Sequence, residues 1–311
     1  MSRAIHHGWW SWARGLRILG QAAVLTAGGL VLNASAAVDA VIYGQDDRIS
    51  IERASEFQQR LGTGVAALVN RKLLIQVPEM DYYYLAGVPL ARQGYDPRMR
   101  FVQEVSVASC TGFLIADDVL VTAQHCLPAE ECSDDHVWVF NFQRAAAEHH
   151  FVRQEDIFTC AKVLKQEKNQ RQGTDWAVVA LDRPTVEHQP FLYRQSGKAE
   201  DGLEVITFGY PSGLPLKVAW HGQIKNNSGK GYFTASIDAF SGNSGSPVVD
   251  PATGMVEGLL VRGGIDYVKD ESTGLRVPLQ VGERYLMGEE VVRITEIPLE
   301  KLLKKYAREK N

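Results

Sequence analysis

Residues 242–247 read Gly242-Asn243-Ser244-Gly245-Ser246-Pro247. A serine between glycines on a tight turn presents its hydroxyl outward, because glycine adopts backbone angles that other residues avoid. Such a turn also gathers backbone N–H groups, and those of Gly242 and Ser244 are the candidates for an oxyanion hole. A Gly/Ser-rich turn alone is usually only a turn, so the chemistry needs partners elsewhere in the chain.

Two partners precede it. Val121-Thr122-Ala123-Gln124-His125-Cys126 ends an apolar strand with a histidine, and Gly173-Thr174-Asp175-Trp176-Ala177-Val178-Val179 opens another with a carboxylate. A serine hydroxyl is a poor nucleophile until a base takes its proton, and a carboxylate must hold that base in one tautomer. His125, Asp175 and Ser244 are therefore a candidate catalytic triad. Their chain order differs from that of subtilisin and of the α/β-hydrolases and matches the chymotrypsin arrangement.

At TAQHC (122–126), DWAVVAL (175–181) and GNSGSP (242–247) the chain resembles the three catalytic segments of trypsin-like, chymotrypsin-fold serine peptidases. It is most similar to the bacterial branch that includes the V8-like glutamyl endopeptidases. The resemblance runs from about Ser109 to Gly264, with a weaker echo in Val41 to Arg48 near that branch's mature start. It implies an all-β fold of two six-stranded antiparallel barrels with the site in the cleft between them. It also implies hydrolysis of peptide bonds in protein or peptide substrates through an acyl-enzyme, with no metal or organic cofactor; the protein itself is expected to be a monomer. Four cysteines, Cys110, Cys126, Cys132 and Cys160, allow three pairings. The resemblance implies the bridge Cys110–Cys126 beside the histidine, and with it Cys132–Cys160.

Three departures from the family pattern bear on function. Gln124 stands where alanine is common. Asn243 replaces the aspartate that trypsin-type enzymes use to trap a new N-terminal ammonium, and an amide cannot make that ion pair. The third concerns substrate binding. Asp238, six residues before Ser244, falls where trypsin carries its selector for basic residues, although a structural carboxylate is an equal reading. Leu260 falls where the glutamyl enzymes place a histidine, and leucine cannot donate to a substrate carboxylate. Val261, Arg262 and Gly263 would then be an edge strand to which substrate adds as an extra strand.

The flanking sequence agrees with an all-β body. From Val102 onward come short apolar runs bounded by Gly, Pro, Asp or Asn: 112–115, 119–121, 137–140, 176–181, 205–208, 231–234, 247–249 and 256–261. That pattern suits a barrel or sandwich rather than βαβ units. Leu299, Leu302, Leu303 and Tyr306, at helical spacing among Lys and Glu, predict a C-terminal amphipathic helix. Earlier, Ala54 to Leu68 reads as a helix, and Tyr82 to Arg100 as loop. Pro211 to Pro215 reads as a turn. His136, His149 and His150 read as ordinary surface or core histidines, and Glu130, Glu131, Asp134 and Asp135 as a solvated loop around Cys132.

At the N-terminus, Arg3, Arg14 and Arg17 precede the apolar run Ile18 to Leu32, followed by Ala34-Ser35-Ala36. Basic start, short apolar centre and small-residue exit describe an export signal over residues 1–36, the alternative being an uncleaved anchor. An even cysteine count beyond such a signal suits disulfides in a secreted or periplasmic protein, with no stable membrane association after cleavage. Residues 37–100 are then an extension or propeptide plus first strands, and 101–311 the peptidase domain. The 311 residues carry a formal net charge of -4, with 45% hydrophobic and 23% charged. No basic block suggests nucleic acid as a partner. Two other functions fit the same fold: a catalytically silent binding module, and an esterase using the same triad.

Overall fold

The short runs rich in Val, Ile, Phe and Trp form the bodies of strands, and those strands make two large antiparallel sheets. The computed structural model describes residues 41–127, 132–144, 150–169, 172–282 and 288–310. The first sheet has the spatial order Ile157–Phe158, His136–Val139, Val65–Asn70, Ala108–Ala116, Val119–Thr122, Thr174–Leu181 and Cys160–Asn169. Thr159 alone separates its two edge strands in the chain, so the covalent backbone spans the gap that hydrogen bonding leaves. The second has the order Glu204–Gly209, Pro247–Val249, Val256–Arg262, Glu289–Arg293, Tyr232–Ala235, Lys217–Asn226 and Ile49–Ser50. Glu204–Gly209 also pairs with Lys217–Asn226, closing six strands into a barrel with Ile49–Ser50 attached outside it. The chain is mostly β, a closed six-stranded barrel beside a half-barrel, and its fold is chymotrypsin-like.

Burial explains which strands the sequence marks. All eight residues of Thr174–Leu181 are buried: partner strands lie on both edges and both faces are covered. A strand buried on both faces reads as a continuous apolar run. Its neighbour Cys160–Asn169 (CAKVLKQEKN) is rich in Lys, Gln and Glu and has no such signature. It is a strand because eight of its residues pair with Thr174–Leu181.

The N-terminal region departs from expectation. The predicted helix over Ala54 to Leu68 is shorter, Glu56–Gly62, opened by a capping box between Ser55 and Gln58. Val65–Asn70 is instead a strand flanked on both sides within the first sheet, and five of its six residues are buried. A short apolar run of that kind has no decisive period, and long-range pairing settles it. Tyr82–Leu85, expected as loop, is the middle strand of a small sheet between Leu74–Gln76 and Phe151–Arg153. Pro211–Gly213 forms the expected turn. The C-terminal helix spans Leu299–Lys310, with Leu299 buried and the Tyr306 hydroxyl donating to Asp118 Oδ2 at 3.0 Å.

The export signal with its exit at Ala36 lies outside the described residues, as do Glu130, Glu131 and His149. Among the described residues no helix is long and apolar enough to cross a membrane. Cys110 is bonded to Cys126, and Cys132 to Cys160, as the resemblance implies. Replacing Cys110 and Cys126 together by serine is expected to lower stability by about 2–5 kcal/mol. A chemical-denaturation midpoint unchanged from the parent would contradict this.

Candidate active site

His125 sits on the short turn Gln124–Cys126 that follows Val119–Thr122, and the bridge from Cys126 to Cys110 pins that turn to the neighbouring strand. Thr122 pairs with Ala177, so Asp175 projects just past the end of Val119–Thr122, beside the turn. His125 Nδ1 lies 3.0 Å from Asp175 Oδ2, and the His125 backbone N–H donates to Oδ1 at 3.0 Å. An ionised carboxylate only accepts, so Nδ1 carries the proton and Nε2 is left as the ring's basic atom. Lys168, paired directly across from Asp175, brings its Nζ to 3.9 Å of Oδ2. Burial would push the Asp175 carboxyl up, but hydrogen bonds from the His125 ring and backbone outweigh it and hold the carboxyl below its usual range.

Ser244 belongs to the second barrel, yet its turn is held by the first. Thr111, fully buried, donates its N–H to Ser244 O at 2.9 Å and its hydroxyl to Gly242 O at 2.7 Å. The same hydroxyl accepts the N–H of Tyr210 at 3.3 Å. Cys126 Sγ is 3.5 Å from Ser244 O, so the histidine turn and the serine turn abut. Two glycines permit this closeness. Gly245 has φ +87°, and a Cβ there would meet Thr111 O at 2.2 Å; Gly242 has φ +99°, and a Cβ would meet Tyr210 O at 2.3 Å.

The N–H groups of Asn243, Gly245 and Ser246 donate to Phe240 O, Leu260 O and Asn243 O at 2.9, 2.6 and 2.9 Å. Those of Gly242 and Ser244 have no hydrogen-bond partner among the described residues. The turn thus presents two unpaired donors on either side of Asn243. The Ser244 hydroxyl likewise makes no hydrogen bond among the described residues, to His125 or to any other group. Catalytic hydrogen bonds are often long in unliganded enzymes and tighten around substrate.

Residues 110–259 match the family model for the trypsin-like peptidase domain. This chain carries a trypsin-like peptidase domain. No curated protein sequence matches it. Among solved structures, a Glu endopeptidase is 16% identical, with a TM-score of 0.49 over 86% of this chain and 99% of that one. The active form of the Rv3671c protease from M. tuberculosis is 16% identical, with a TM-score of 0.47 over 85% of this chain and 89% of that one. A serine endoprotease from Yersinia pestis is 14% identical, with a TM-score of 0.46; the match covers 79% of this chain and 65% of the Yersinia protein's length.

The match to the peptidase domain stops one residue before Leu260, and the specificity region must be read from geometry. Ser244, Leu260, Val261, Arg262 and Gly263 line one cavity of about 140 Å³. Asp238 does not line it. Its Oδ1 accepts the backbone N–H of Tyr43 at 2.8 Å and its Oδ2 that of Asp47 at 3.1 Å, so the carboxylate is turned toward the N-terminal segment. Burial pushes that carboxyl up to about 7 despite these bonds. The expected edge strand also needs refinement. Val256–Arg262 has partners on both sides at Leu259, and Leu260 exchanges hydrogen bonds with Gly245 and Ser246. From Val261 onward one side carries no strand among the described residues, so only its last residues form an open edge.

Sequence reasoning missed two residues of this region. Thr111 carries no local signal, being one more apolar-flanked residue of a strand. Glu289, buried at 1% exposure, also lines the cavity and arrives there through the pairing of Glu289–Arg293 with Val256–Arg262. As for metal binding, Cys110, His125 and Cys126 have ligand atoms within 4.8 Å of one another, but the two sulfurs are joined and offer no thiolate.

Two outcomes are expected. Thr111→Val keeps the side chain's shape but leaves Gly242 O and Tyr210 N without a partner, costing about 1–3 kcal/mol. Amide exchange in residues 242–246 should then speed up relative to the remainder of the second barrel. For Asp175, a depressed carboxyl contributes stability above the unfolded value of 3.8, and that contribution is lost as pH falls through the folded value. The stability gap between the parent and Asp175→Asn should therefore be wide near pH ~6 and narrow near pH ~2, measured by urea unfolding. A gap independent of pH would exclude this ionic contribution.

Proposed function

We propose that this chain is an exported serine endopeptidase in which Ser244 is the nucleophile, His125 the base and Asp175 the group that orients it. The observation that carries the proposal is convergence: the Asp175–His125 pair and the Ser244 turn come from separate sheets and meet, with two unpaired N–H donors beside the serine. His125 Nε2 takes the Ser244 proton as Oγ attacks the scissile carbonyl carbon. The developing oxyanion accepts from the N–H groups of Gly242 and Ser244. The imidazolium, steadied by Asp175, protonates the leaving amine, and an acyl-enzyme remains. Water then repeats the sequence, giving its proton to His125 and releasing the acid. Esters would yield to the same groups, but the open edge from Val261 favours an extended peptide, which can add to it as a strand. Two disulfides support an oxidising compartment, in keeping with the export signal read at the N-terminus.

One observation favours a second reading, a silent binding module: the Ser244 hydroxyl is not bonded to His125. A fluorophosphonate separates the two. The peptidase reading expects covalent labelling of Ser244 in the parent and none in Ser244→Ala. It also expects that variant to lose kcat/KM by about 10⁴–10⁶ while its unfolding midpoint stays near the parent's. A folded parent that neither labels nor hydrolyses any peptide would leave the binding module as the answer.

A further inference from the structure

The polar strand Cys160–Asn169 brings to the site two side chains that its sequence does not announce. It pairs with Thr174–Leu181 so that Gln166 lies across from Ala177 and Lys168 across from Asp175. Residues directly opposite in an antiparallel pair share a face of the sheet, so Gln166 and Lys168 stand on the face from which Asp175 meets the histidine. The Gln124 side-chain amide, next to His125 in the chain, donates to Gln166 Oε1 at 3.3 Å. Lys168 Nζ lies 3.9 Å from Asp175 Oδ2, the same oxygen that faces His125 Nδ1.

The neighbouring charges leave this ammonium as the one that bears on the pair. Glu167 and Lys165 belong to the opposite face: the Thr174 hydroxyl donates to Glu167 Oε1 at 3.4 Å, and Lys165 lies over the Trp176 ring, 5.7 Å from its centroid. The serine turn, residues 242–246, carries no charged side chain, and neither do Gln124 and Cys126 on either side of His125. Among the described residues, only Lys168 and the His125 ring bring a nitrogen that can carry positive charge within ion-pairing distance of Asp175. The Asp175 side chain is 7% exposed and that of Lys168 43%. A half-exposed ammonium is weakened by water and salt, but its field still reaches a ring one hydrogen bond beyond the carboxylate.

We infer that Lys168 is a positioning residue for the Asp175–His125 pair, whose ammonium opposes the imidazolium and so keeps the base available at lower pH. The inference rests on the peptidase reading above and deepens it. A positive charge beside Asp175 shares the counter-charge that the ring would otherwise have to itself, so a proton on Nε2 gains less. The ring then stays neutral, the form that accepts the Ser244 proton, further into acid. Without the ammonium the imidazolium becomes the sole cationic partner of Asp175, and the acid limb of the activity profile moves up in pH.

The test follows kcat/KM against pH on the purified full chain with an uncharged fluorogenic peptide, together with the rate of Ser244 labelling by a fluorophosphonate. The labelling rate constant needs the same base and does not depend on what fraction of a variant is folded. In Lys168→Gln the pH of half-maximal rate on the acid side should rise by ~0.3–1 unit, and in Lys168→Glu by more. Lys168→Arg, which keeps the charge, should stay with the parent. In about 1 M NaCl the limbs of the parent and Lys168→Gln should draw together, because the charge that separates them is screened. A Lys168→Gln limb that coincides with the parent's, whatever happens to its plateau, overturns the inference alone, as does Lys168→Arg moving with Lys168→Gln. A folded parent with neither labelling nor hydrolysis overturns the peptidase reading, and this inference falls with it.

Discussion

Thr111 is the point at which the two halves of the molecule are made to agree. Its backbone N–H and its hydroxyl both reach across from the half-barrel to the serine turn of the closed barrel. Its own carbonyl accepts the Thr122 hydroxyl at 2.7 Å, three residues before His125. One buried residue, through its backbone and its hydroxyl together, thus ties the strand that delivers the histidine, the strand bridged by the disulfide and the turn that carries the serine. Buried polar groups with complete hydrogen bonding rigidify a site because any displacement leaves a desolvated donor or acceptor. The glycines at 242 and 245 are the complement of this contact: the turn approaches so closely that no side chain fits on the facing side.

The N-terminal segment has a comparable part on the opposite flank. Arg48 is buried, pairs with Asp46 at 2.7 Å and lies over the Phe240 ring at 4.1 Å from its centroid. Phe240 is a wall of the cavity, Tyr43 donates to Glu289 in its lining, and Asp238 receives two N–H groups from the same segment. Burying so much charge is costly unless each group is paired. The carboxyl of Asp238, raised by burial, records the part of that cost which pairing does not remove. The cavity is accordingly shaped by residues about 190 to 250 positions away from it in the chain.

Long-range closure also marks the limit of what residue order reveals. The apolar strands, the C-terminal helix and the histidine, aspartate and serine segments are legible because each has a local cause: a buried run, a helical period, a Gly-flanked turn. Cys160–Asn169 and Val65–Asn70 are not, since the first is a polar strand recruited by its neighbour and the second has no decisive period. The same holds within the site. The side chains proposed for chemistry announce themselves by residue type, whereas Thr111 and Glu289 matter only through which strand lies next to which. Asp238 shows the converse, a position suggested by offset from Ser244 whose side chain the fold turns the other way.

The strand order carries a practical implication for anyone preparing fragments. A piece trimmed to residues 110–259 would discard Val65–Asn70 from inside one sheet and Glu289–Arg293 from inside the other. Each loss would expose raw ladder edges on strands that are buried in the intact molecule, and such edges recruit foreign strands. Precipitation of a minimal clone would then say nothing about the enzyme. A fragment that keeps both sheets whole has to reach from Ile49–Ser50 through Glu289–Arg293.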